Sequence, residues 1–284
     1  MKLRIRPPKG RSVESLERHY RTEKQIADRL RAASSPEVRK QIMETMYDEL
    51  FRAVPDHPRL TRRSDPAETL KANQSKLRLL EHLLEPSTAI AEFGSGDCMF
   101  LASICDRVRS VYAIDISDQR AATFEAPRNF FFVGYDGYSM PSIQRQSIDV
   151  CFSDMLLEHL HPHDVSTHLD HVLELLKPGG LYVFRTPHAQ SGPDDVSRFF
   201  SDVAQGFHLQ EWTYGELIPL LKARGFDSFR PYWNARTLLV PIPLSVCVWI
   251  ERALRWLPGR LRTTPAKLIL PSVCLVATKK TSAI

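Results

Sequence analysis

The sequence lacks the features that mark disulfide-bonded, zinc-binding and membrane-spanning chains. Its five cysteines include no C-x-x-C pair, so the spacing typical of zinc sites and disulfide frameworks is missing. No apolar signal segment stands near the N-terminus, and no run approaches the roughly 18 to 20 apolar residues that span a bilayer. These absences predict a cytoplasmic protein whose cysteines are reduced. The cysteines are Cys98, Cys105, Cys151, Cys247 and Cys274.

Strong charge of one sign and internal repeats are also missing. The formal net charge is +5 over 284 residues, with 43% hydrophobic and 25% charged residues, which is ordinary globular composition. Because lysine and arginine are spread along the chain, the balance favours a solvated surface over a nucleic-acid or membrane partner.

The N-terminal part contains helix signals and no strand pattern. Ser35-Pro36 and Asp65-Pro66 each combine a capping side chain with a proline in the first turn. They predict helices that run to about Ala53 and Leu84, with a linker over 55–64. We therefore predict a helical extension over 1–69 and a second domain over 70–284.

Short apolar runs alternate with helical segments from Thr88 onward, which is typical of βαβ units. Helices are predicted over 97–107, 164–176 and 213–224. The pattern predicts an α/β fold with a doubly wound, seven-stranded, mostly parallel sheet. The predicted strands are 89–93, 111–115, 130–134, 149–153, 181–185, 226–233 and 273–278.

The stretch from Ala89 to Gly96 carries the most chemical information. An apolar strand runs into Gly94-x-Gly96, where the backbone can turn tightly and let a ligand approach. Asp115 ends the next strand, where a carboxylate can bind the ribose hydroxyls of an adenosine-bearing cofactor.

Two details indicate which cofactor this is. A dinucleotide motif needs a third glycine, but that position is Met99. Glu92 and Asp97 would repel a pyrophosphate and tolerate a cation, and S-adenosylmethionine is cationic at its sulfonium and ammonium. A nicotinamide oxidoreductase is the weaker alternative.

With these residues in place, the sequence resembles the class I S-adenosylmethionine-dependent methyltransferases. Glu92-Phe-Gly-Ser-Gly-Asp97 and Tyr112-Ala-Ile-Asp115 are similar to their first two motifs. Later segments resemble the branch that contains ubiquinone- and glycan-modifying O-methyltransferases. These segments are 134–141, Leu157-Glu158-His159, 176–180, Thr186-Pro187, the run from His208 to Leu217, and 223–226.

The resemblance implies S-adenosylmethionine as cofactor and a set of residues that bind it. One base near the methyl group would help if the acceptor is a hydroxyl, and the leading candidates are His159 and His208, with His163 and His188 behind them. The implied cofactor residues are Glu92, Gly94, Gly96, Asp97, Asp115, Ile116, Asp136, Gly137 and Asp154.

Departures from the family narrow the function. Met155 replaces the first glutamate of the E-x-x-E-H metal site of some quinone O-methyltransferases, so no metal is predicted. Ser153-Asp154-Met155 differs from the tetrapeptide of nucleobase N-methyltransferases, which makes nucleic acid an unlikely substrate. The predicted acceptor is a small molecule, a sugar or a lipid-linked precursor, methylated at oxygen. A non-catalytic adenosyl-binding module that serves in an assembly is the alternative.

Two segments of the sequence each allow two interpretations. The helices before residue 70 either form a lid over the cofactor, with Tyr20 or Arg62 facing it, or pack elsewhere. The apolar and basic insertion over 238–262, with Trp249 and Trp256, either packs against the sheet or a partner, or rests on the inner face of a membrane.

Overall fold

The sheet places a crevice at the carboxyl ends of its parallel strands. The structure is a computed structural model that describes residues 3–63, 66–235 and 238–281, and eight strands within these residues form one sheet in the order β3-β2-β1-β4-β5-β8-β6-β7. The strands are β1 (Ala89–Phe93), β2 (Ser110–Asp115), β3 (Phe130–Gly134), β4 (Ile148–Asp154), β5 (Leu176–Pro187), β6 (Phe226–Ala235), β7 (Leu238–Pro241) and β8 (Ser272–Lys279).

Strands β1 to β5 are parallel, whereas β8 runs antiparallel between β5 and β6. The strand order reverses between β1 and β4, and open α/β sheets bind ligands at such a switch point. The predicted doubly wound fold with its helical extension is confirmed. The sheet differs from the prediction in having an eighth strand. This strand, β7, lies at the start of the predicted insertion and pairs antiparallel with β6 at the sheet edge.

The helices flank this sheet and precede it. They are α1 (Val13–Ala32), α2 (Pro36–Ala53), α3 (Pro58–Arg63), α4 (Pro66–Leu80), α5 (Met99–Ala102), α6 (Val165–Leu175), α7 (Tyr214–Arg224), α8 (Leu244–Arg255) and α9 (Gly259–Ile269). The predicted boundary between residues 69 and 70 falls within α4 and stays a prediction. The predicted cap at Asp65 lies outside the described residues.

Two local predictions need correction. The predicted helix over 97–107 is reduced to the single turn α5 and a short 3₁₀ turn, and Asn129 Nδ2 donates to the Cys105 and Val108 carbonyls of this second turn and its end at 2.7 and 3.0 Å. The predicted linker over 55–64 contains α3, which begins where His57 Nδ1 accepts the Arg59 N–H at 3.1 Å.

The core lies on both faces of the sheet, and β1 is buried along its whole length. Alternation places Phe93 on the face that carries α6 and Ile90 on the face that carries α4 and α5. Glu92 therefore points to the α4 side of the sheet.

Candidate functional site

The switch-point crevice, called the cofactor crevice below, brings together most of the predicted cofactor residues. Gly94, Gly96, Asp115, Ile116, Gly137 and Asp154 line it. Of the two predicted catalytic histidines, His159 lines this crevice and His208 does not.

The turn after β1 needs glycine at two positions for different reasons. Gly94 has a φ of +73°, and a Cβ there would stand 3.2 Å from Leu156 Cδ1. Gly96 has a φ of +59°, and its open side has no atom within 4 Å. Left-handed backbone favours glycine, and the space above Gly96 lets a bulky ligand reach the backbone.

Asp115 joins this turn to the end of β2. Its Oδ2 accepts the Gly96 N–H at 2.8 Å and its Oδ1 accepts the Ser117 N–H at 3.3 Å. Burial raises the pKa of the Asp115 carboxyl, and the two N–H groups only partly oppose the rise. Because each carboxylate oxygen has two acceptor sites, Asp115 can still bind ribose hydroxyls.

Glu92 does not line the crevice, which corrects the expectation of a direct cofactor contact. Its side chain is fully buried on the α4 side, and Oε1 pairs with Lys76 Nζ at 2.6 Å. Burial raises the pKa of Glu92 to about 7, against the lowering effect of Lys76. Because Lys76 pairs with Glu92, the role of Glu92 as a counter-charge to the cofactor stays a prediction.

Asp97 and Asp136 also lie outside the lining, and backbone N–H groups engage their carboxylates. Asp97 Oδ1 accepts the Met99 N–H at 3.2 Å. Asp136 Oδ1 accepts the Ser139 N–H at 2.7 Å, and Oδ2 pairs with Lys40 Nζ at 2.9 Å. Burial alone would raise the pKa of Asp136, but these contacts lower it below its ordinary value. Its neighbour Gly137 lines the crevice instead.

Asp154, at the end of β4, lines the crevice in a fixed orientation. Arg185 donates to both of its carboxylate oxygens, at 2.7 and 2.8 Å, and also donates to Ser75 Oγ at 2.9 Å. This bidentate pair leaves the carboxylate in place as an acceptor for a polar group of the cofactor.

The N-terminal helices complete the crevice, which the sequence left open. Met43, Met46 and Tyr47 of α2 and Arg59 of α3 line it opposite the glycine turn. Tyr20 instead donates to Gln205 Oε1 at 2.5 Å outside the lining, and the Arg62 side chain lies outside the described residues. The α2 residues follow helical spacing that is equally typical of core packing, so the sequence held no separate signal for them.

A second cavity, called the adjoining chamber below, shares Tyr47, Arg59 and His159 with the cofactor crevice. The Arg59 guanidinium lies 4.8 Å from the centre of the Tyr47 ring, and among the described residues no carboxylate stands within ion-pair distance of it. The chamber is further lined by Glu23, Leu50, His57, Asp195, Val196, Phe207 and His208.

His159 and His208, which line this chamber, come together with the fully buried Glu158, and the three residues are called the Glu158 triad below. Their donor atoms all lie within 4.8 Å of one another. Burial lowers the pKa of His159 to about 3 and raises that of Glu158 to about 7. Burial also opposes the charge on His208, but the hydrogen bond that its Nδ1–H donates to Glu211 outweighs burial and raises the pKa of His208 to about 9.

Hydrogen bonds fix which atoms of the triad are free. His159 Nδ1 faces the Phe207 carbonyl at 3.0 Å, and His208 Nδ1 faces Glu211 Oε1 at 2.8 Å. Both acceptors require a proton on Nδ1, so Nε2 is the nitrogen of each ring that no bond among the described residues engages. Nε2 of His159 is unprotonated, whereas the raised pKa of His208 keeps a proton on its Nε2 at neutral pH, which a metal ion would have to displace. Glu158 Oε2 accepts from Thr186 at 2.8 Å, whereas its buried Oε1 has no partner.

The sequence argument against a metal considered only the replacement of a glutamate by Met155, and it left out His208, which the fold brings beside Glu158 and His159. The absence of a metal stays a prediction. An unpartnered carboxylate oxygen and two imidazole nitrogens anchored through Nδ1 are the donor set and outer contacts that a divalent cation requires. The residues of the Glu158 triad therefore fit a metal ion.

A second cluster of His19, Glu23 and His57 does not fit one. Arg11 Nη1 stands 2.9 Å from His19 Nδ1, and the Arg59 N–H donates to His57 Nδ1 at 3.1 Å. Both histidines must then carry their proton on Nε2, which faces Glu23. The cluster is a closed hydrogen-bond network.

Comparison with known proteins identifies the fold. Residues 91–184 match the family model described as a methyltransferase domain. No curated protein sequence matches the chain.

Solved structures resemble the chain at low sequence identity. A phosphoethanolamine N-methyltransferase 2 from Haemonchus contortus, in complex with S-adenosylmethionine, is 15% identical with a TM-score of 0.51, covering 74% of this chain and 53% of its own. A 1,6-didemethyltoxoflavin N1-methyltransferase from Burkholderia thailandensis is 16% identical with a TM-score of 0.50, and the match covers 87% of this chain and 92% of its own. An S-adenosylmethionine-dependent methyltransferase from Archaeoglobus fulgidus is 17% identical with a TM-score of 0.50, and the match covers 75% of this chain and 94% of its own.

At such identities the likeness shows the fold, and the family match adds the domain type. The motifs that the match spans, from the glycine turn through Asp115 to Asp154, line the crevice where that fold binds its ligand. The protein therefore carries a class I S-adenosylmethionine-dependent methyltransferase domain, with S-adenosylmethionine as its cofactor.

Proposed function

We propose that the protein transfers the methyl group of S-adenosylmethionine to an oxygen of a small, sugar or lipid-linked acceptor that binds in the adjoining chamber. The observation that carries this proposal is the position of His159. It lines both cavities, and its unprotonated Nε2 is available to an acceptor hydroxyl.

Methyl transfer from a sulfonium is an in-line displacement, so the main task is to hold the two reactants in line. The acceptor oxygen must approach the methyl carbon to about 3 to 3.5 Å. The glycine turn and Asp115 fix the cofactor on one side, while Met43 and Met46 exclude water from above. His159 Nε2 accepts the hydrogen bond of the hydroxyl and takes its proton as the bond from oxygen to the methyl carbon forms; because burial holds the pKa of His159 at about 3, that proton then passes to solvent.

The cation of Arg59 suits an acceptor that carries an acidic group. Its guanidinium lies where the crevice and the chamber meet, and within the described part of the chain it has no carboxylate partner. An anionic group on the acceptor would provide that partner and would direct the hydroxyl toward the crevice.

We expect His159→Ala to lower kcat about 100-fold, because general-base catalysis contributes roughly that much. Isothermal titration measures S-adenosylmethionine binding, and release of S-adenosylhomocysteine in a screen of hydroxylated acceptors measures turnover. The control is His163→Ala, four positions along and exposed to solvent, which should leave kcat unchanged. Binding without turnover on any acceptor would support the non-catalytic module instead, and an unchanged kcat in His159→Ala would remove His159 from the mechanism.

The same three donor atoms offer a second way of activating the hydroxyl. A divalent cation held by the Glu158 triad would supply Lewis acidity that lowers the pKa of a coordinated hydroxyl. The contribution of the chain would be to fix the two imidazoles through Phe207 and Glu211.

We expect Zn²⁺ or Mn²⁺ to bind the protein. His208→Ala should weaken that binding at least about 10-fold, because the loss of even a residue that only supports a metal ligand lowers metal affinity by about this factor. Isothermal titration with each metal alone measures the effect. His57→Ala is the matched control, since its cluster is closed by hydrogen bonds. Equal weakening in both variants, or no binding to the unaltered protein, would show that the triad acts without a metal.

A further inference from the structure

The chain concentrates its exposed apolar side chains in one segment. Trp249 and Trp256 are 70% and 88% exposed, and both belong to the region of β7, α8 and α9. The remaining large apolar side chains exposed there are Leu238, Val240, Val246, Leu257, Leu261, Leu268 and Ile269. The region over 238–269 thus gathers most of the large apolar side chains that the described part of the chain exposes, and it is called the α8–α9 surface below.

This surface stands on a firmly anchored helix. Glu251, on the inner side of α8, accepts the N–H groups of Tyr214 and Gly215 at 2.6 and 3.0 Å and pairs with His188 Nε2 at 2.9 Å. Cys247 and Leu254 on the same side are buried in the core. The outer side of α8 is therefore held in place, and its exposed tryptophan is not a consequence of loose packing.

The charges of the surface have one sign. Arg252, Arg255 and Lys267 are exposed, whereas Glu251, the acidic residue of the segment, is buried and fully engaged. Tryptophan and leucine flanked by arginine and lysine suit the boundary between lipid headgroups and acyl chains, where apolar groups insert and cations meet anionic headgroups. Among the described residues no helix is long and apolar enough to cross a bilayer.

We infer that the α8–α9 surface binds peripherally to an anionic lipid bilayer. The charge complementarity selects a lipid surface over a second copy of this chain, because two copies would place the same cations against each other. The surface also adjoins a cavity that Gly259, Arg262 and Thr263 line on one side and His208 on the other. If the proposed function holds, a lipid-linked acceptor would reach the Glu158 triad from this side.

The test is co-sedimentation of the full chain with vesicles of phosphatidylcholine, with or without phosphatidylglycerol. We expect binding only to the vesicles that contain phosphatidylglycerol, a blue shift of tryptophan emission, and loss of binding at high salt. The double variant Trp249→Ser/Trp256→Ser should lower the partition coefficient at least about 10-fold, and Arg252→Gln/Arg255→Gln should lower it as well.

The matched control is Leu70→Ser/Phe131→Ser, which removes two exposed apolar side chains elsewhere (59% and 46% exposed) and should leave vesicle binding unchanged. Titration with S-adenosylmethionine checks that each variant is folded and separates this inference from the proposed methyl transfer. Equal binding by all variants would overturn the inference. So would absence of binding together with a dimer in solution that Trp249→Ser/Trp256→Ser abolishes.

Discussion

Asp115→Ala should weaken S-adenosylmethionine binding about 100-fold. The substitution removes the acceptor for the ribose hydroxyls and also the bond to the Gly96 N–H at 2.8 Å that holds the glycine turn. Hydrogen bonds to a charged group contribute about 1.5 to 3 kcal/mol each, and a loss of about 3 kcal/mol corresponds to somewhat more than 100-fold in Kd. Isothermal titration measures the change directly.

The control for this experiment stands three positions further along. Asp118 is exposed and pairs with Arg120 at 2.6 Å, so Asp118→Ala should leave the Kd within about 2-fold. If Asp115→Ala bound the cofactor as tightly as the unaltered protein, the crevice at the end of β2 would not be the adenosine site. NADH binding in either protein would reopen the oxidoreductase alternative.

Arg39→Ala should lower the free energy of unfolding by about 3 to 5 kcal/mol, the usual cost of leaving one member of a buried ion pair without its partner. Arg39, on α2, donates to both oxygens of Asp164 at 2.7 and 2.5 Å and to the Ala33 carbonyl at 3.0 Å. Tyr138 donates to the same carboxylate at 2.8 Å. Urea unfolding measures the change in free energy.

Two further variants make this result interpretable. Arg29→Ala breaks an exposed pair with Glu49 and should cost less than about 1 kcal/mol. Arg39→Leu/Asp164→Leu removes both buried charges and should be more stable than Arg39→Ala. If Arg39→Ala unfolded like Arg29→Ala, the pair would not hold α2 against α6.

Local patterns carried the predictions that succeeded. The capping box of Thr213 and Glu216 begins α7, and Gly225 ends it with a φ of +111°. The glycine turn and Asp115 were identifiable because neighbouring residues in one βα unit build that part of the site. Strand alternation and turn chemistry act over a few residues, which a sequence displays directly.

Contacts between distant segments account for what the sequence did not show. Glu92 matched its motif, but no spacing rule indicates its ion pair with Lys76 of α4. The chain after α5 is fixed by Asn129, which donates to the Cys105 carbonyl from just before β3. His208 joins Glu158 and His159 only after the chain has passed through β5, so their proximity could not be predicted from the motif around Met155.

The placement of α2 and α3 also constrains how the cofactor is exchanged. Their methionine, tyrosine and arginine side chains form one wall of the crevice, and a spent cofactor cannot leave sideways through the packed core beneath the sheet. Movement of these helices would widen the exit, and the buried bridge between Arg39 and Asp164 resists that movement. Where such an opening limits turnover, the residues that secure the wall would govern the pace of the cycle without touching the reacting atoms.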